Sequence, residues 1–300
     1  MNLHEPFIAP GKPALTGWPW TETTDPGKYA GREDWPRISI ITPSYNQGQY
    51  LEQTIRSVLG QQYPNLEYIV IDGGSTDSSV ELIRKYSSGI SYWVSEPDCG
   101  QTDALQKGFR MATGEIAAWI NSDDYYEKDI FYKVAGLYKD MDFSFLCGTC
   151  RMIDQDGRLL QQLHTKKISY QTLIRYWKPH FCPPQPSIFF KRAVLEVLDF
   201  DISLKYAMDY DLWLKASRKY EFCHITDNLS FYRVHADSKT GSEGGLGKFI
   251  PEWKMLIGKS LRQESLLTKW RYRFDESRFR MVKAFRHFFA RLTLKSILKW

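Results

Sequence analysis

The 300-residue sequence contains no apolar run that approaches the roughly 20 residues a membrane-spanning helix needs. Residues 1–16 contain prolines and lack the apolar stretch of a signal peptide. Both absences argue against an integral membrane protein or a secreted one. They predict a cytoplasmic chain.

Cysteine is also scarce. The five cysteines are Cys99, Cys147, Cys150, Cys182 and Cys223. An odd number spread over this length does not form a disulfide framework, and it predicts reduced thiols. No second C-x-x-C pair and no histidine at zinc-finger spacing accompanies Cys147 and Cys150. The pattern favours small apolar side chains packed in a strand.

Glycine-rich phosphate loops are absent as well. No G-x-G-x-x-G or G-x-x-x-x-G-K-S/T segment follows any predicted strand, which removes the main support for a dinucleotide-binding Rossmann domain or a P-loop protein. A ligand that carries phosphates would need another source of positive charge.

The sequence does contain alternating strand and helix patterns. Strands are predicted at 38–42, 66–72, 90–95 and 115–121, with helices at 48–62, 76–86 and 100–113. Such alternation is typical of a parallel sheet covered by helices on both faces. Right-handed crossovers then place all the strand-to-helix loops at one edge of the sheet, where ligands of such sheets bind.

Small, polar and acidic residues follow these four strands. The segments are TPSYN (42–46), DGGSTD (72–77), SEPDCGQ (95–101) and NSDD (121–124). Asp123 and Asp124 are adjacent carboxylates that repel each other, so they need a cation, a hydrogen-bonding ligand or open water. A solvated turn is the plainer alternative. Since carboxylate oxygens suit Mg²⁺ or Mn²⁺, the pair predicts a divalent ion that bridges the loops to a diphosphate.

Several segments resemble, in order and spacing, the nucleotide-sugar-dependent glycosyltransferases of family 2. They are ISIITPSYNQGQY, VIDGGSTDSS, EPDCGQTDALQKG, NSDD, MDYDLWLK and YRVHADS. The resemblance implies an α/β fold of the GT-A type, with a Rossmann-like, mostly parallel central sheet flanked by helices and a C-terminal helical extension. It divides the chain into an irregular arm (1–36), a GT-A domain (37–240) and a basic helical extension (241–300). Within the domain, 37–124 would be the nucleotide-binding half and 125–240 the acceptor and catalytic half.

The resemblance also implies roles for individual residues on the donor side. The nucleotide pocket would be lined by Thr42, Pro43, Tyr45 and Asp72, with Asp72 reading a uracil-type base. The diphosphate would be faced by Asp103 and Lys107. The metal ion would be held by Asp123, Asp124 and His235, with Asp123 also contacting the ribose. One departure is Asn121, where the family's D-x-D motif often has a carboxylate; asparagine accepts a hydrogen bond but adds no charge.

The same resemblance selects Asp209 as the catalytic base. Asp209 and Asp211 lie near the start of a predicted helix, where two charges stabilised by the helix dipole are the plainer interpretation. Because the two residues are two positions apart, at most one is expected to point into the cleft.

Acceptor recognition is predicted for the loop YWKPHFCPPQPS (176–187). Aromatic rings such as Trp177 can stack on sugars, and His180 or Gln185 could bind hydroxyl groups. The same side chains could equally pack the loop against the body.

The C-terminal end is strongly basic. From Lys269 onward there are ten basic residues against Asp275 and Glu276, whereas the whole chain has a net charge of +5. The helical spacing of apolar and basic residues over 269–300 predicts either peripheral contact with anionic lipid on the inner face of the membrane, or a helix packed on the body with a solvated basic face. Nucleic acid is not an expected partner, since no recognition motif accompanies the charge.

These patterns together predict a metal-dependent, inverting glycosyltransferase that uses Mn²⁺ or Mg²⁺. The donor would be a nucleotide sugar, with UDP as the expected carrier, and the acceptor a glycan or lipid-linked molecule in cell-surface polysaccharide biosynthesis. A non-catalytic nucleotide-sugar-binding subunit of a glycan assembly complex is an alternative that Asn121 allows and Asp209 argues against. A nucleotidyltransferase should have a basic, glycine-rich loop where this chain has TPSYNQGQY.

Overall fold

The structure is a computed structural model that describes residues 15–178, 181–196 and 200–297, with side chains described up to residue 283. Within these residues nine strands form one sheet. They are β1 (Ile38–Ser44), β2 (Leu66–Asp72), β3 (Tyr92–Ser95), β4 (Ile116–Trp119), β5 (Tyr125–Tyr126), β6 (Phe145–Ile153), β7 (Leu159–Leu163), β8 (Ile188–Lys191) and β9 (Phe222–Arg233). The helices are α1 (Gly48–Leu59), α2 (Ser79–Lys85), α3 (Gln101–Met111), α4 (Ile130–Met141), α5 (Tyr170–Leu173), α6 (Met208–Ala216), α7 (Ile250–Arg262) and α8 (Leu266–Ile297).

The strand order is β3-β2-β1-β4-β8-β6-β9-β5, with β7 paired to β6. Strands β1 to β4 are parallel, as the alternating pattern predicts, and Ser44 of β1 lies opposite Asp72 of β2, which lies opposite Ser95 of β3. The carboxyl ends of these strands are therefore level at one edge. Beyond β4 the sheet is mixed, because β8 runs antiparallel to both β4 and β6. The predicted α/β class with a sheet flanked by helices is confirmed. Among the described strands four pairings are parallel and four are antiparallel, so the sheet as a whole is mixed.

Each face of the sheet has its own apolar core. Alternation along the strands directs Ile40, Val70 and Ala118 to the side of α1, α2 and α4. It directs Ile41, Ile71 and Trp119 to the other side, where α3, α6 and α7 pack. Both faces are covered, which explains why β1 is buried along its whole length.

The chain before β1 is attached to the α1 side of the sheet. Trp35 and Tyr29 are buried with Tyr63, and the Tyr29 ring meets the other two rings edge to face. Trp18 Nε1 also donates a hydrogen bond to the Tyr126 carbonyl at 2.8 Å. The boundaries predicted for the arm, the domain and the extension stay predictions.

The last two helices extend the core on the α6 side. Trp253 and Ile257 of α7 and Tyr272 of α8 are buried there. Among the described residues, none of the helices is both long enough and apolar enough to cross a lipid bilayer. The five cysteines are free thiols, with Cys147 and Cys150 buried in β6, as expected for a packing role.

Candidate active site

A cavity of about 970 Å³ lies at the carboxyl ends of the parallel strands. Its walls come from the ends of β1, β2 and β4, the loop before α3, the start of α6 and the segment after β9. Five predicted site residues line it: Pro43, Tyr45, Asp123, Gln185 and Asp209. Seven others lie outside the lining: Thr42, Asp72, Asp103, Lys107, Asp124, Trp177 and His235. His180 falls outside the described residues.

Thr42 and Asp72 are at the predicted strand ends, but their side chains point into the protein. Thr42 Oγ1 lies 3.1 Å from the Tyr68 hydroxyl in the core. The Asp72 carboxylate is fully buried and accepts hydrogen bonds from the Ser75 N–H at 2.8 Å, from the Ser75 hydroxyl at 2.6 Å and from the Ser95 hydroxyl at 2.7 Å. In this arrangement Asp72 shapes the loop that follows β2.

The same loop explains the two glycines after Asp72. Gly74 has a φ of +81°, which favours glycine. A Cβ atom at Gly73 would lie 2.9 Å from Oδ2 of Asp98. The two loops that carry Gly73 and Asp98 therefore approach closely, and both residues line the cavity.

Asp123 is the member of the acidic pair that faces the cavity. Its Oδ2 lies 3.2 Å from Nε2 of His235, and the His235 ring packs against Tyr50 with the ring centroids 4.7 Å apart. Arg233 stacks on the same tyrosine and donates from Nε to the Asp123 carbonyl at 3.1 Å. These contacts hold Asp123 and His235 together beside the cavity.

Asp124 points the other way. It is 1% exposed, and its Oδ1 accepts a hydrogen bond from the Arg233 N–H at 2.8 Å. Burial, and then the neighbouring charge of Asp123, raise the pKa of Asp124 well above its ordinary value. The repulsion expected between the two carboxylates is thus relieved by turning one of them inward and favouring its neutral form.

The donor set at this point fits part of a metal site. Within the described part of the chain, no three His, Cys, Asp and Glu side chains converge as a metal site. Asp123 and His235 nonetheless bring a carboxylate oxygen and an imidazole nitrogen together, and Mn²⁺ accepts both donor types. Oxygens of a bound diphosphate and water would have to complete the coordination.

Asn121 occupies the centre of a carboxamide network. Its Oδ1 accepts from Gln101 Nε2 at 2.6 Å, while its Nδ2 donates to Gln185 Oε1 at 3.2 Å and to Asp124 Oδ2 at 3.4 Å. Gln185 in turn donates to the Trp119 carbonyl at 2.8 Å. The position needs a donor as well as an acceptor, which a carboxylate cannot supply. The network accounts for asparagine in the motif.

Asp103 and Lys107 form a charge cluster at the start of α3. Lys107 Nζ lies 3.1 Å from Glu96 Oε1 and 3.5 Å from Asp103 Oδ2. Asp103 also accepts a hydrogen bond from the Cys99 N–H at 3.1 Å. The charge of Lys107 is therefore shared by two carboxylates.

Asp209 lines the cavity from the first turn of α6, whereas Asp211 is buried and pairs with Lys215 at 2.5 Å. This division agrees with the two-residue spacing. Burial raises the pKa of Asp209 above its ordinary value, although the Tyr210 N–H at 2.7 Å and the charge of Lys239 act in the opposite direction. A carboxylate with a raised pKa is better matched to removing a proton near neutral pH.

Glu252 of α7 holds the start of α6. Its two carboxylate oxygens accept hydrogen bonds from three successive backbone N–H groups, those of Lys205 at 3.0 Å, Tyr206 at 2.9 Å and Ala207 at 2.7 Å. These donors precede a helix N-terminus, where a negative charge is favourable. No sequence pattern predicts this contact, because the bonded residues are 45 to 47 positions apart.

Lys239 also lines the cavity, although it is not among the predicted site residues. Its Nζ donates to Gln101 Oε1 at 2.6 Å and to the Lys205 carbonyl at 2.7 Å. Burial lowers its pKa from the ordinary value, while the charges of Asp209, Glu252 and Asp123 act in the opposite direction. The only signal in the sequence was its position, four residues after His235.

The predicted acceptor loop is divided between two environments. Gln185 lines the cavity with its amide held by Asn121 and Trp119. Trp177 instead packs against α8, with its ring centroid 5.4 Å from that of Tyr272 and 5.9 Å from that of Phe279.

Comparisons with known sequences find relatives of this chain. Residues 39–198 match the family described as Glycosyl transferase family 2. An uncharacterized glycosyltransferase of Rickettsia typhi is 32% identical over 247 residues, which cover 78% of this chain and 76% of that protein. An uncharacterized glycosyltransferase of Methanocaldococcus jannaschii is 25% identical over 215 residues, which cover 68% of this chain and 73% of that protein.

Two solved structures have a similar fold. Staphylococcus aureus TarS in complex with UDP-GlcNAc has a TM-score of 0.62 at 20% identity, covering 77% of this chain and 68% of that one. The mannosyltransferase PcManGT from Pyrobaculum calidifontis, in complex with GDP-Man and Mn²⁺, has a TM-score of 0.51 at 18% identity, covering 89% and 84%. A longer TarS chain is covered over 40% of its length.

Proposed function

Because this chain belongs to glycosyl transferase family 2 and is therefore a glycosyltransferase, we propose that it transfers a sugar from a nucleotide diphosphate donor with inversion at the anomeric carbon. The observation that carries this proposal is the lining of one cavity by Asp123, Asp209 and Lys239 at the edge of the parallel strands. A donor-side carboxylate, a candidate base and a cation are thus present in the same space.

In the proposed reaction, the acceptor hydroxyl oxygen attacks the anomeric carbon. Its proton passes to the Asp209 carboxylate, and the bond between the anomeric carbon and the phosphate oxygen breaks. The electron pair of that bond leaves with the nucleoside diphosphate. Asp209 acts as the general base, and its raised pKa favours that role.

The leaving diphosphate needs positive charge. We assign one source to Lys239, whose amine lies at the cavity wall. Asp123 and His235 would hold a divalent ion, Mn²⁺ or Mg²⁺, which when bound stabilises negative charge on the phosphates. Asp124 supports this pair through Arg233, which contacts both aspartates.

The donor and acceptor classes are also part of the proposal. UDP is the expected carrier, and the related folds of TarS and PcManGT, whose structures contain UDP-GlcNAc and GDP-Man, support a nucleotide sugar in general. The acceptor would be a glycan or lipid-linked molecule of cell-surface polysaccharide biosynthesis.

Calorimetric titration of UDP and of GDP, with and without Mn²⁺, tests the donor site. We expect binding of one nucleotide that strengthens with Mn²⁺ in the wild type, and loss of the Mn²⁺ effect in Asp123→Asn. The matched variant Asp209→Asn should bind the nucleotide like the wild type but should not release UDP from a panel of UDP-sugars. If Asp209→Asn binds the nucleotide like the wild type and also releases UDP from UDP-sugars like the wild type, Asp209 is not the base. If the wild type binds neither UDP nor GDP, the proposed donor site is wrong.

A further inference from the structure

Helix α8 has an apolar surface that faces away from the protein. Leu266 is 84% exposed, Trp270 61% and Phe274 54%, and Leu267 and Met281 are also exposed. The rings of Trp270 and Phe274 stack on each other with centroids 5.5 Å apart. A group of large apolar side chains exposed to solvent usually marks an interaction site.

These residues form a stripe along the helix. At about 100° per residue, Trp270, Phe274 and Met281 lie within about 40° of one another around the helix axis. Tyr272 and Phe279, which contact Trp177, lie about 180° away by the same geometry. The helix therefore has two separate apolar faces, one that attaches it to the body and one that is uncovered.

Arginines border the uncovered stripe on both sides. Arg271 and Arg278 lie along one edge, and Arg273 and Arg280 along the other. Among the residues whose side chains are described, Arg280 pairs with Glu276, and no carboxylate lies within ion-pair distance of Arg271, Arg273 or Arg278. The border of the stripe is thus positively charged.

The acidic residues of α8 are on the attached side. Asp275 pairs with Arg175 at 2.8 Å, and Glu276 lies 3.5 Å from the Tyr176 hydroxyl. Asp275 is thereby held away from the exposed stripe, whereas Glu276 also pairs with Arg280 at 2.7 Å and offsets its charge. The net positive charge of the border therefore comes from Arg271, Arg273 and Arg278.

We propose that this face, the α8 stripe (Leu266, Leu267, Trp270, Phe274 and Met281 with its bordering arginines), docks on an anionic lipid surface. Apolar and aromatic side chains would enter the interfacial region, while the arginines would contact the negatively charged headgroups. The complementary charge favours lipid over a second copy of this chain, because two copies would bring their arginine borders together.

The α8 stripe also relates to the cavity. Directly behind it, Tyr272 and Phe279 contact Trp177, and the chain continues from there to Cys182 and Gln185 in the cavity wall. Docking would bring the acceptor side of the cavity near the lipid surface, which suits a lipid-linked acceptor. This acceptor class rests on the proposed function, whereas the docking itself does not.

Co-sedimentation of the full chain with phosphatidylcholine vesicles, and with vesicles that also contain phosphatidylglycerol, tests the docking. One variant combines Trp270→Gln with Phe274→Gln, and its control combines Leu159→Gln with Leu160→Gln, two exposed leucines on β7. A second variant combines Arg271→Gln with Arg278→Gln, and its control replaces the exposed Lys166 and Lys219 by glutamine. Nucleotide titration of each variant reports whether the fold and the donor site are intact.

We expect the wild type and both controls to bind anionic vesicles and to bind neutral vesicles weakly. The arginine variant should lose about 25-fold in binding, since each of its two cations near an anionic surface contributes about fivefold. The aromatic variant should bind weakly to both kinds of vesicle. Wild-type protein that ignores anionic vesicles, or an aromatic variant that binds like the wild type, would overturn the proposal. The proposal would also be overturned if light scattering found that the wild type is a dimer and the aromatic variant is a monomer. Asp209→Asn should bind vesicles normally, which separates failure of docking from failure of the proposed transfer.

Discussion

Lys239 is the residue whose charge is most directly suited to a diphosphate. The cavity is also lined by four aspartates, Asp98, Asp123, Asp209 and Asp237, and by one other lysine, Lys205, so without Lys239 a doubly charged ligand would meet mainly carboxylates. We expect Lys239→Met, which keeps the length of the side chain and removes the charge, to weaken UDP binding by about 10- to 100-fold, the usual effect of losing a hydrogen bond to a charged group. Isothermal titration calorimetry measures this change.

Lys107→Met is the matched control for Lys239. It removes the same charge from a residue that pairs with Glu96 and Asp103 outside the cavity lining. We expect it to change UDP affinity by less than about threefold, as is usual for an exposed ion pair. Equal losses in the two variants would support the role that the family resemblance gave Lys107 and would argue against a specific role for Lys239.

At this scale, the sequence was sufficient to locate residues along the chain but not to orient them. Thr42, Asp72 and Asp124 are at the strand ends where they were predicted, yet their side chains bond to protein groups inside. Asn121 departs from an acidic motif because its side chain bonds to Gln101 and Gln185, which come from other loops. Hydrogen-bond partners that are distant in sequence leave no periodic signal.

Among the elements, α6 depends on a contact from α7. Glu252 accepts three backbone hydrogen bonds immediately before the turn that carries Asp209. We expect Glu252→Gln to lower the rate of sugar transfer or donor hydrolysis, because the neutral amide has one acceptor oxygen in place of two and leaves at least one N–H unpaired. The free energy of unfolding should fall by about 1–3 kcal/mol, as measured by urea denaturation.

UDP binding should remain close to the wild-type value in Glu252→Gln, since the donor loops are on other elements. Glu243→Gln is the control, because Glu243 is exposed and lies in the loop before α7. A parallel loss of UDP binding and turnover in Glu252→Gln would indicate general unfolding of the cavity, and unchanged turnover would show that Asp209 does not depend on this contact.

The elements themselves were predicted to different degrees. The range predicted for β2 is the one observed, because a continuous apolar run bounded by polar residues marks a buried strand. Helix α1 ends at Leu59, three residues before the predicted end, and Gln62 has a φ of +50°, which is incompatible with a helix. The pairing of β6 with β9 was not predicted, since the paired residues Phe145 and Phe222 are 77 positions apart and no local pattern connects them.

For the whole molecule, the sequence predicted a basic C-terminal helix and left open whether it packs on the body or binds lipid. In the structure α8 packs on the body through one face and has a basic, apolar face on the other side. The two alternatives are therefore compatible. Periodicity alone does not tell which face packs on the body, because both faces carry aromatic side chains, Tyr272 on one and Trp270 on the other.

This two-faced helix connects the C-terminal extension to the loop that reaches the cavity. Trp177 contacts Tyr272 and Phe279, and Arg175 pairs with Asp275, so both contacts link the same loop to α8. We expect Trp177→Ala to increase amide hydrogen exchange in residues 266–279, because the ring packs against Tyr272 and Phe279. We expect the same change in residues 181–187, because they continue the loop that Trp177 attaches to α8. Mass spectrometry of exchanged peptides measures both regions in one experiment.

Trp270→Ala is the matched control for this coupling, since it removes the same ring from the opposite face of the same helix. It should leave exchange in residues 181–187 unchanged, and neither variant should alter residues 66–77, which belong to the donor side of the sheet. If Trp177→Ala changed the loop but not α8, the helix would be held by its other contacts, and docking on a lipid surface would have no direct route to the acceptor side of the cavity. An equal response to both substitutions would instead mean that α8 moves as a unit on the body, independently of which face is altered.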